Sequence, residues 1–309
     1  MKRIDVSEKG VFDIDWSPDG KWVTYMLGDE IRIVDLETLE ISIIGEGRCP
    51  HITADRSVVF ERNDEILLAS GGGTRTLVSK KDIVKETPKR SPFPSPDNET
   101  MVIVVCNVYD KSSQALNSFP YRHFWALSQL GRDKGILTRE QWYGGAVIWF
   151  PDSTRFCHFE FDSTAGPQIH IVNKAGEREG TVAGLYASIS PDGKSIASLP
   201  KGGGSIVVYT SKGGWTDDDI DASIVRIPNT SLGRPSATPP IWVDNRLLLL
   251  HEEKNIWRID TKKDKAEEMK KIPLPTTRRQ PTIVPSPSRD KLAMEVASDN
   301  GFELCVVDL

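Results

Sequence analysis

A short apolar run, a Ser-Pro-Asp-Gly turn and a second apolar run recur along this chain, and few folds are built from that unit. Its clearest copy is Asp15-Trp16-Ser17-Pro18-Asp19-Gly20 followed by Lys21-Trp22-Val23-Thr24-Tyr25-Met26. Proline presets the turn, aspartate and serine satisfy its backbone, and glycine accepts the left-handed residue, so the unit spells a β-hairpin. With Asp19 as reference, counterparts stand at Asp55, Asp97, Asp152 and Asp192. Two degenerate copies follow, at Asp244 and at Pro285-Ser286-Pro287-Ser288, the last with Ser288 in the aspartate slot.

Successive turns lie 36, 42, 55, 40, 52 and 44 residues apart, bracketing the roughly 40–50 residues of a four-stranded propeller blade. In the first copy, strands are expected near Phe12–Trp16, Trp22–Leu27, Ile31–Leu36 and Glu40–Ile44, where β-branched residues alternate with polar ones. The last copy stops after its third strand, at Glu303–Leu309. Lys2–Val6 precedes the first copy as Ile41–Ile44 precedes the second, so the N-terminal strand is expected to complete the C-terminal blade. The expected fold is all-β: a seven-bladed β-propeller with four-stranded antiparallel blades, occupying residues 1–309 as one domain. The blades fall near 8–48, 49–88, 89–141, 142–183, 184–233, 234–277 and 278–309 with 1–7. Closure would remove the free edges of a linear array.

The turns Trp16–Lys21 and Ser190–Lys194, and the tail copy Ser298-Asp299-Asn300-Gly301-Phe302-Glu303-Leu304, resemble the TolB-type, WD-like β-propeller repeat. The resemblance spans nearly the whole chain, with the second, sixth and seventh copies departing from the motif. It implies a propeller and a binding surface. It implies no reaction, because such propellers include partner-binding modules, substrate-gating domains of peptidases and a few lyases.

Composition excludes several functions. Of 309 residues 38% are apolar and 27% charged, with a formal net charge of -5, so there is no basic excess to meet a phosphate backbone or an anionic membrane. No run of about 18 apolar residues occurs, and the start lacks an apolar signal core. The four cysteines (Cys49, Cys106, Cys157, Cys305) are widely spaced and read as free thiols in a reducing, cytoplasmic setting.

Nucleophile elbows, His-Glu-x-x-His, Cys-x-x-Cys and dinucleotide fingerprints are absent. Neither catalytic residues, nor a metal site, nor a cofactor is assigned. His158 and His170 fall in apolar strands and read as core. Asp217, Asp219 and Asp221 alternate as calcium ligands can, without the glycine and terminal glutamate of an EF-hand loop, and read as a solvated loop. Trp16, Trp149 and Trp242 share one repeat position, which argues for packing between blades.

Candidate binding residues are those at the entries to the first strands and on the long loop of the third blade: His51, Arg90, Tyr109, Asp110, Phe119, Tyr121, Tyr143, Tyr186 and Arg279. The third blade carries an insertion, Asn107–Pro120, and long loops on a rigid frame are where function concentrates. Asp29, Asp64, Asp110, Asp162, Glu252 and Asp299 add an acidic outer ring suited to a basic or polar partner. The expected function is non-catalytic recognition of a protein or peptide at the channel mouth. A lyase or hydrolase acting on a carbohydrate-like small molecule there, with His51, Arg90, Tyr143 and Tyr186 as its residues, and a regulatory cap for a separate catalytic subunit are the alternatives.

Overall fold

The computed structural model describes all residues except 1, 9, 80–88, 110–120, 130–135, 143–146, 163–164, 201–203, 228–238, 253–254, 264, 270–282 and 299–300. The chain opens with β1 (Lys2–Ser7). Three sheets follow: β2 (Val11–Trp16), β3 (Trp22–Leu27), β4 (Glu30–Asp35) and β5 (Ile41–Glu46); β6 (Arg48–Ile52), β7 (Val58–Arg62), β8 (Glu65–Ser70) and β9 (Gly73–Val78); β10 (Lys89–Pro94), β11 (Thr100–Tyr109), β12 (Tyr121–Gln129) and β13 (Ile136–Trp142). The next three are β14 (Val147–Trp149), β15 (Arg155–Asp162), β16 (Gly166–Asn173) and β17 (Arg178–Ala183); β18 (Leu185–Ile189), β19 (Ser195–Leu199), β20 (Ser205–Ser211) and β21 (Ile220–Arg226); β22 (Ile241–Trp242), β23 (Leu247–Glu252), β24 (Asn255–Asp260) and β25 (Lys265–Met269). In the last sheet β26 (Ile283–Pro285), β27 (Lys291–Ser298) and β28 (Gly301–Asp308) are joined by β1, which pairs antiparallel with β28. Every described sheet has four antiparallel strands, and the N-terminal strand completes the C-terminal one, as the truncated last repeat requires.

Two compact units result: Met1–Trp142 with Thr277–Leu309, holding the first three sheets and the last, and Tyr143–Thr276, holding the other three. In each unit the core lies between facing sheets. Met26, Ile31 and Ile33 of the first sheet meet Ile52, Val58 and Phe60 of the second. Ala197, Ile206 and Val208 of the fifth meet Trp242, Leu248 and Leu250 of the sixth. Alternation along each strand supplies both faces, because a sheet packed on two neighbours needs apolar residues on both sides.

The repeated turn is closed by its own side chains. Ser17 Oγ donates to Asp19 Oδ1 (2.6 Å) and accepts the Trp22 amide (2.9 Å), while Asp19 Oδ1 accepts the Lys21 amide (3.1 Å). Ser190 and Asp192 repeat this with 2.6 Å, 2.9 Å and 3.1 Å contacts to each other, Ser195 and Lys194. Gly20 and Gly193 both have φ of +69°, the left-handed region where a Cβ is disfavoured. Arg56, Asn98, Ser153 and Arg289 hold the same position at φ between 59° and 66°, so the aspartate and serine bonds hold the turn where glycine is missing.

In the seventh sheet the acceptor has moved. Ser288 stands in the aspartate slot, one residue before the left-handed Arg289, and the acceptor is Asp290 instead: it accepts from both Ser286 Oγ (3.0 Å) and Ser288 Oγ, and Ser286 Oγ accepts the Lys291 amide. In the sixth the turn is one residue shorter, and Asp244 alone takes the Arg246 and Leu247 amides, each at 2.7 Å.

Trp16 and Trp242 act as the repeat position implies. Trp16 Nε1 donates to the Val284 carbonyl (3.0 Å) and Trp242 Nε1 to the Ser188 carbonyl (3.1 Å), each reaching the first strand of the preceding sheet. Trp149 packs on Phe156 of its own sheet, with centroids 5.3 Å apart.

Candidate binding surface

The first strands carry a bulge that the sequence does not announce. Asp13, Cys49 and Tyr186 have φ of 48°, 48° and 51°, each three residues before the residue that ends its strand. The pairing register shifts across each of them, between Phe12 and Asp15, Arg48 and His51, and Leu185 and Ser188. A bulge re-aims the side chains beside it.

In the first unit these bulges set two tiers of polar groups across neighbouring first strands. Asp13 Oδ2 accepts the Cys49 amide (3.2 Å), and Cys49 Sγ lies 3.3 Å from Ser91 Oγ. One step along, Asp15 Oδ2 accepts the Ile52 amide (3.1 Å) and meets His51 Nδ1 at 3.3 Å, while the His51 ring lies 5.3 Å from Phe93. The Cys49 thiol is pushed up to about 11, first by burial and then by the Asp13 charge. It is a neutral thiol at physiological pH and therefore a poor nucleophile.

Beside these tiers, where β3 turns into β4 and β7 into β8, lie two adjoining hollows of about 520 Å³ each that share Asp29 and Glu46. One is lined further by Gly47, Arg48, Glu61, Arg62, Asn63 and Asp64, the other by Ser7, Glu8, Leu27, Glu30 and Arg32. Six carboxylates thus face three guanidinium groups, and Arg32 is already held by Asp5 (2.8 Å) and Glu30 (2.5 Å). Gly47 forms the floor, since a Cβ there would come within 2.5 Å of Phe60 and 2.8 Å of the Glu61 carbonyl. Glu61, buried beneath, fixes the rim by accepting the Asp64 amide at 2.8 Å.

His51 lies in the second tier. Arg90 stands on β10 opposite Val105, and Tyr109 and Tyr121 pair where β11 ends and β12 begins. The side chains of those three, and the whole of Asp110, Phe119, Tyr143 and Arg279, lie outside the described residues. Tyr186, in the second unit, packs against the Trp242 cluster. The third-sheet insertion is shorter than its sequence implies: Asn107–Tyr109 belongs to β11, which leaves 110–120 between the strands. Strand propensity of Val108-Tyr109 extends the hairpin.

The acidic loop at 217–221 is solvated, with Asp217, Asp218 and Asp221 exposed. Two of its carboxylates are engaged at the surface, Asp219 with Thr216 Oγ1 (2.6 Å) and Asp221 with Lys212 (2.7 Å), and beside them Trp215 is buried edge-on against Phe150. The polar residues around Trp215 give no sequence signal of its burial. No group of three or more metal-ligating side chains converges among the described residues. His158 and His170 are buried at 1% and 2% exposure, and His170 is held by Glu160 (2.6 Å) and Thr181 (2.8 Å).

No protein-family description matches the sequence, and no curated protein matches it. Solved structures do. Oligogalacturonate lyase from Vibrio parahaemolyticus aligns over 99% of this chain and 92% of its own, with TM-score 0.66 and 13% identity. The β-propeller domain of Myceliophteria thermophila Cps50 (Swd1) aligns over 100% and 98%, with TM-score 0.63 and 8% identity. The fold is a β-propeller. A chain of the mitotic checkpoint complex matches equally well, at TM-score 0.63 and 12% identity over 100% and 94%. At these identities the likeness concerns fold, and the propeller neighbours include both a lyase and a chain of a multi-protein complex. Among the described residues no helix is long and apolar enough to cross a membrane.

Proposed function

We propose that this propeller is a non-catalytic binding module that takes a protein or peptide with a basic segment on the rim bearing the turns between second and third strands. One observation carries the reading: the paired hollows around Asp29 and Glu46, open and lined by an excess of carboxylates, offer charge and width rather than a closed reaction chamber. Charge complementarity of this kind steers a basic partner and fixes its register. The seven sheets are read as one ring of residues 1–309, with the loop at 110–120 beside the channel mouth contributing Asp110 and Phe119 as contacts. A cytoplasmic location belongs to the same proposal.

The test is titration of a flexible (Gly-Lys)4 peptide against the protein and an Asp29→Lys/Asp64→Lys double variant. Affinity should fall at least about tenfold in the variant and decline steeply with salt in the wild type. Equal binding by both proteins would remove the site from this rim.

A second reading rests on the Asp15–His51 pair, whose geometry leaves one ring nitrogen of His51 for proton transfer to a small polyhydroxylated ligand. A His51→Gln variant separates it: turnover of such a ligand by the wild type alone would favour an enzyme.

A further inference from the structure

The outer edge of the first sheet is unlike the others. The outer strands β1, β9, β13, β17, β21 and β25 all carry Lys or Arg within their length, as edges guarded against pairing do. β5 runs Ile41-Ser42-Ile43-Ile44-Gly45 without a charge before Glu46. Ile43 is 63% exposed and Ile41 38%, with Leu39 at 39% just before the strand.

The backbone is open at the same residues. Asp35 donates its amide to the Glu40 carbonyl (3.0 Å), which makes 35 and 40 a hydrogen-bonded pair. Bonded and non-bonded pairs alternate in an antiparallel ladder, so Ile41 opposite Val34 and Ile43 opposite Arg32 are non-bonded. Both isoleucines therefore direct N–H and C=O away from β4, and among the described residues β5 pairs with no other strand.

We infer that β5 is a docking edge for an extended segment of a partner protein in which apolar and basic residues alternate. Main-chain bonds to Ile41 and Ile43 would add a fifth strand, and its apolar residues would cover the two side chains. Charge selects the occupant. Glu40 and Glu46 bracket the uncharged stretch, and antiparallel pairing of two copies about Ile43 would set Glu40 against Glu46, which opposes self-association. Basic residues at those places would be attracted. Glu46 also lines both hollows, so a strand on β5 leads into the acidic rim. The inference deepens the proposed binding function but rests on the edge itself.

The probe is a (Val-Lys)4 peptide, with (Val-Glu)4 and (Gly-Lys)4 as controls, read by calorimetry and by amide hydrogen exchange. Expected are preferential binding of (Val-Lys)4, slowed exchange at Ile41 and Ile43, and a loss of at least about tenfold in Ile43→Pro, the scale of one removed anchor. Ile43→Lys, at an exposed position, is the second variant should the proline disturb the sheet, and it should lose binding likewise. The Asp29→Lys/Asp64→Lys protein should still protect Ile41 and Ile43, which separates this edge from the hollows. The inference is overturned if (Val-Lys)4 does not bind, if it binds without protecting those amides, or if Ile43→Lys abolishes concentration-dependent dimers of the chain, which would make a second copy the occupant.

Discussion

Two kinds of titrating residue should each destabilise the protein in acid, in successive pH windows. His158 is buried, and burial first, then the charges of His170 and Arg178, hold its pKa down to about 3. The unfolded chain therefore binds a proton near pH 6.5 that the folded chain refuses, and stability falls as pH drops from about 6.5 towards 3, at up to about 1.4 kcal/mol per pH unit. Thermal unfolding measured across that range should show the decline, and His158→Leu should flatten it. Asp19, Asp55 and Asp290 have lowered pKa values, chiefly because the Ser17, Thr53 and Ser288 hydroxyls donate to them, with Asp290 at about 2. Their stabilisation is complete above about pH 4 and is lost only as pH falls through the folded values. Replacing Ser17 by Ala should cost about 1 kcal/mol, the ordinary net worth of such a hydrogen bond, with the fold intact by circular dichroism.

Cys157 and Cys305 are buried and free, and Cys49 is free and half-buried. Titration under denaturing, non-reducing conditions should count four thiols, Cys106 included. A count of two would reveal a disulfide.

Among elements, the loop between β20 and β21 is the clearest case of structure hidden by composition. Lys212–Asp221 looks like a polar excursion, but Trp215 is 3% exposed, and its carbonyl approaches Gly180 so closely that a Cβ there would lie 1.7 Å away. Trp215→Ala should destabilise the protein by about 3–5 kcal/mol, as truncation of a buried aromatic does. A loss below about 1 kcal/mol by denaturant titration would show the loop to be dispensable. The third-sheet hairpin was partly legible: its long connection is visible as an insertion, whereas the extension of β11 to Tyr109 is set by pairing with Tyr121, which a sequence shows only as two separated strand-like runs.

For the whole molecule, completion of the last sheet depends on β1, and much of its attachment is polar. Asp5 accepts from Tyr25 (2.6 Å) and Arg32 (2.8 Å), Arg3 pairs with the buried Glu303 (2.9 Å), and Lys2 donates to the Leu36 carbonyl (3.0 Å). Burial, then the Asp5 hydrogen bond and charge, raises the Tyr25 pKa, so the phenol remains a donor. Deleting residues 1–8 should strip the β28 edge, take the Asp5 carboxylate from Tyr25 and Arg32, leaving Arg32 to Glu30 alone, and take the Arg3 guanidinium from the buried Glu303, lowering stability by more than about 3 kcal/mol. Asp5→Ala should cost about 2 kcal/mol by itself, because the network is partly solvated. Thermal scans of both variants decide, and unchanged midpoints would refute the latch.

By itself the sequence determined the all-β class, the four-stranded repeat, the hairpin turns and the completion of the last sheet by the first strand, because each depends on local rules of turn chemistry and alternation that every copy restates. Tertiary structure alone decided which groups meet: the Asp15–His51 pair, the hollows around Asp29 and Glu46, the buried Trp215, and Asp290 as the acceptor in a turn whose aspartate slot holds Ser288. These depend on a bulge that a non-glycine residue occupies at positive φ, on contacts between strands about forty residues apart, and on how one sheet fits the next. None of those leaves a periodic mark in the chain.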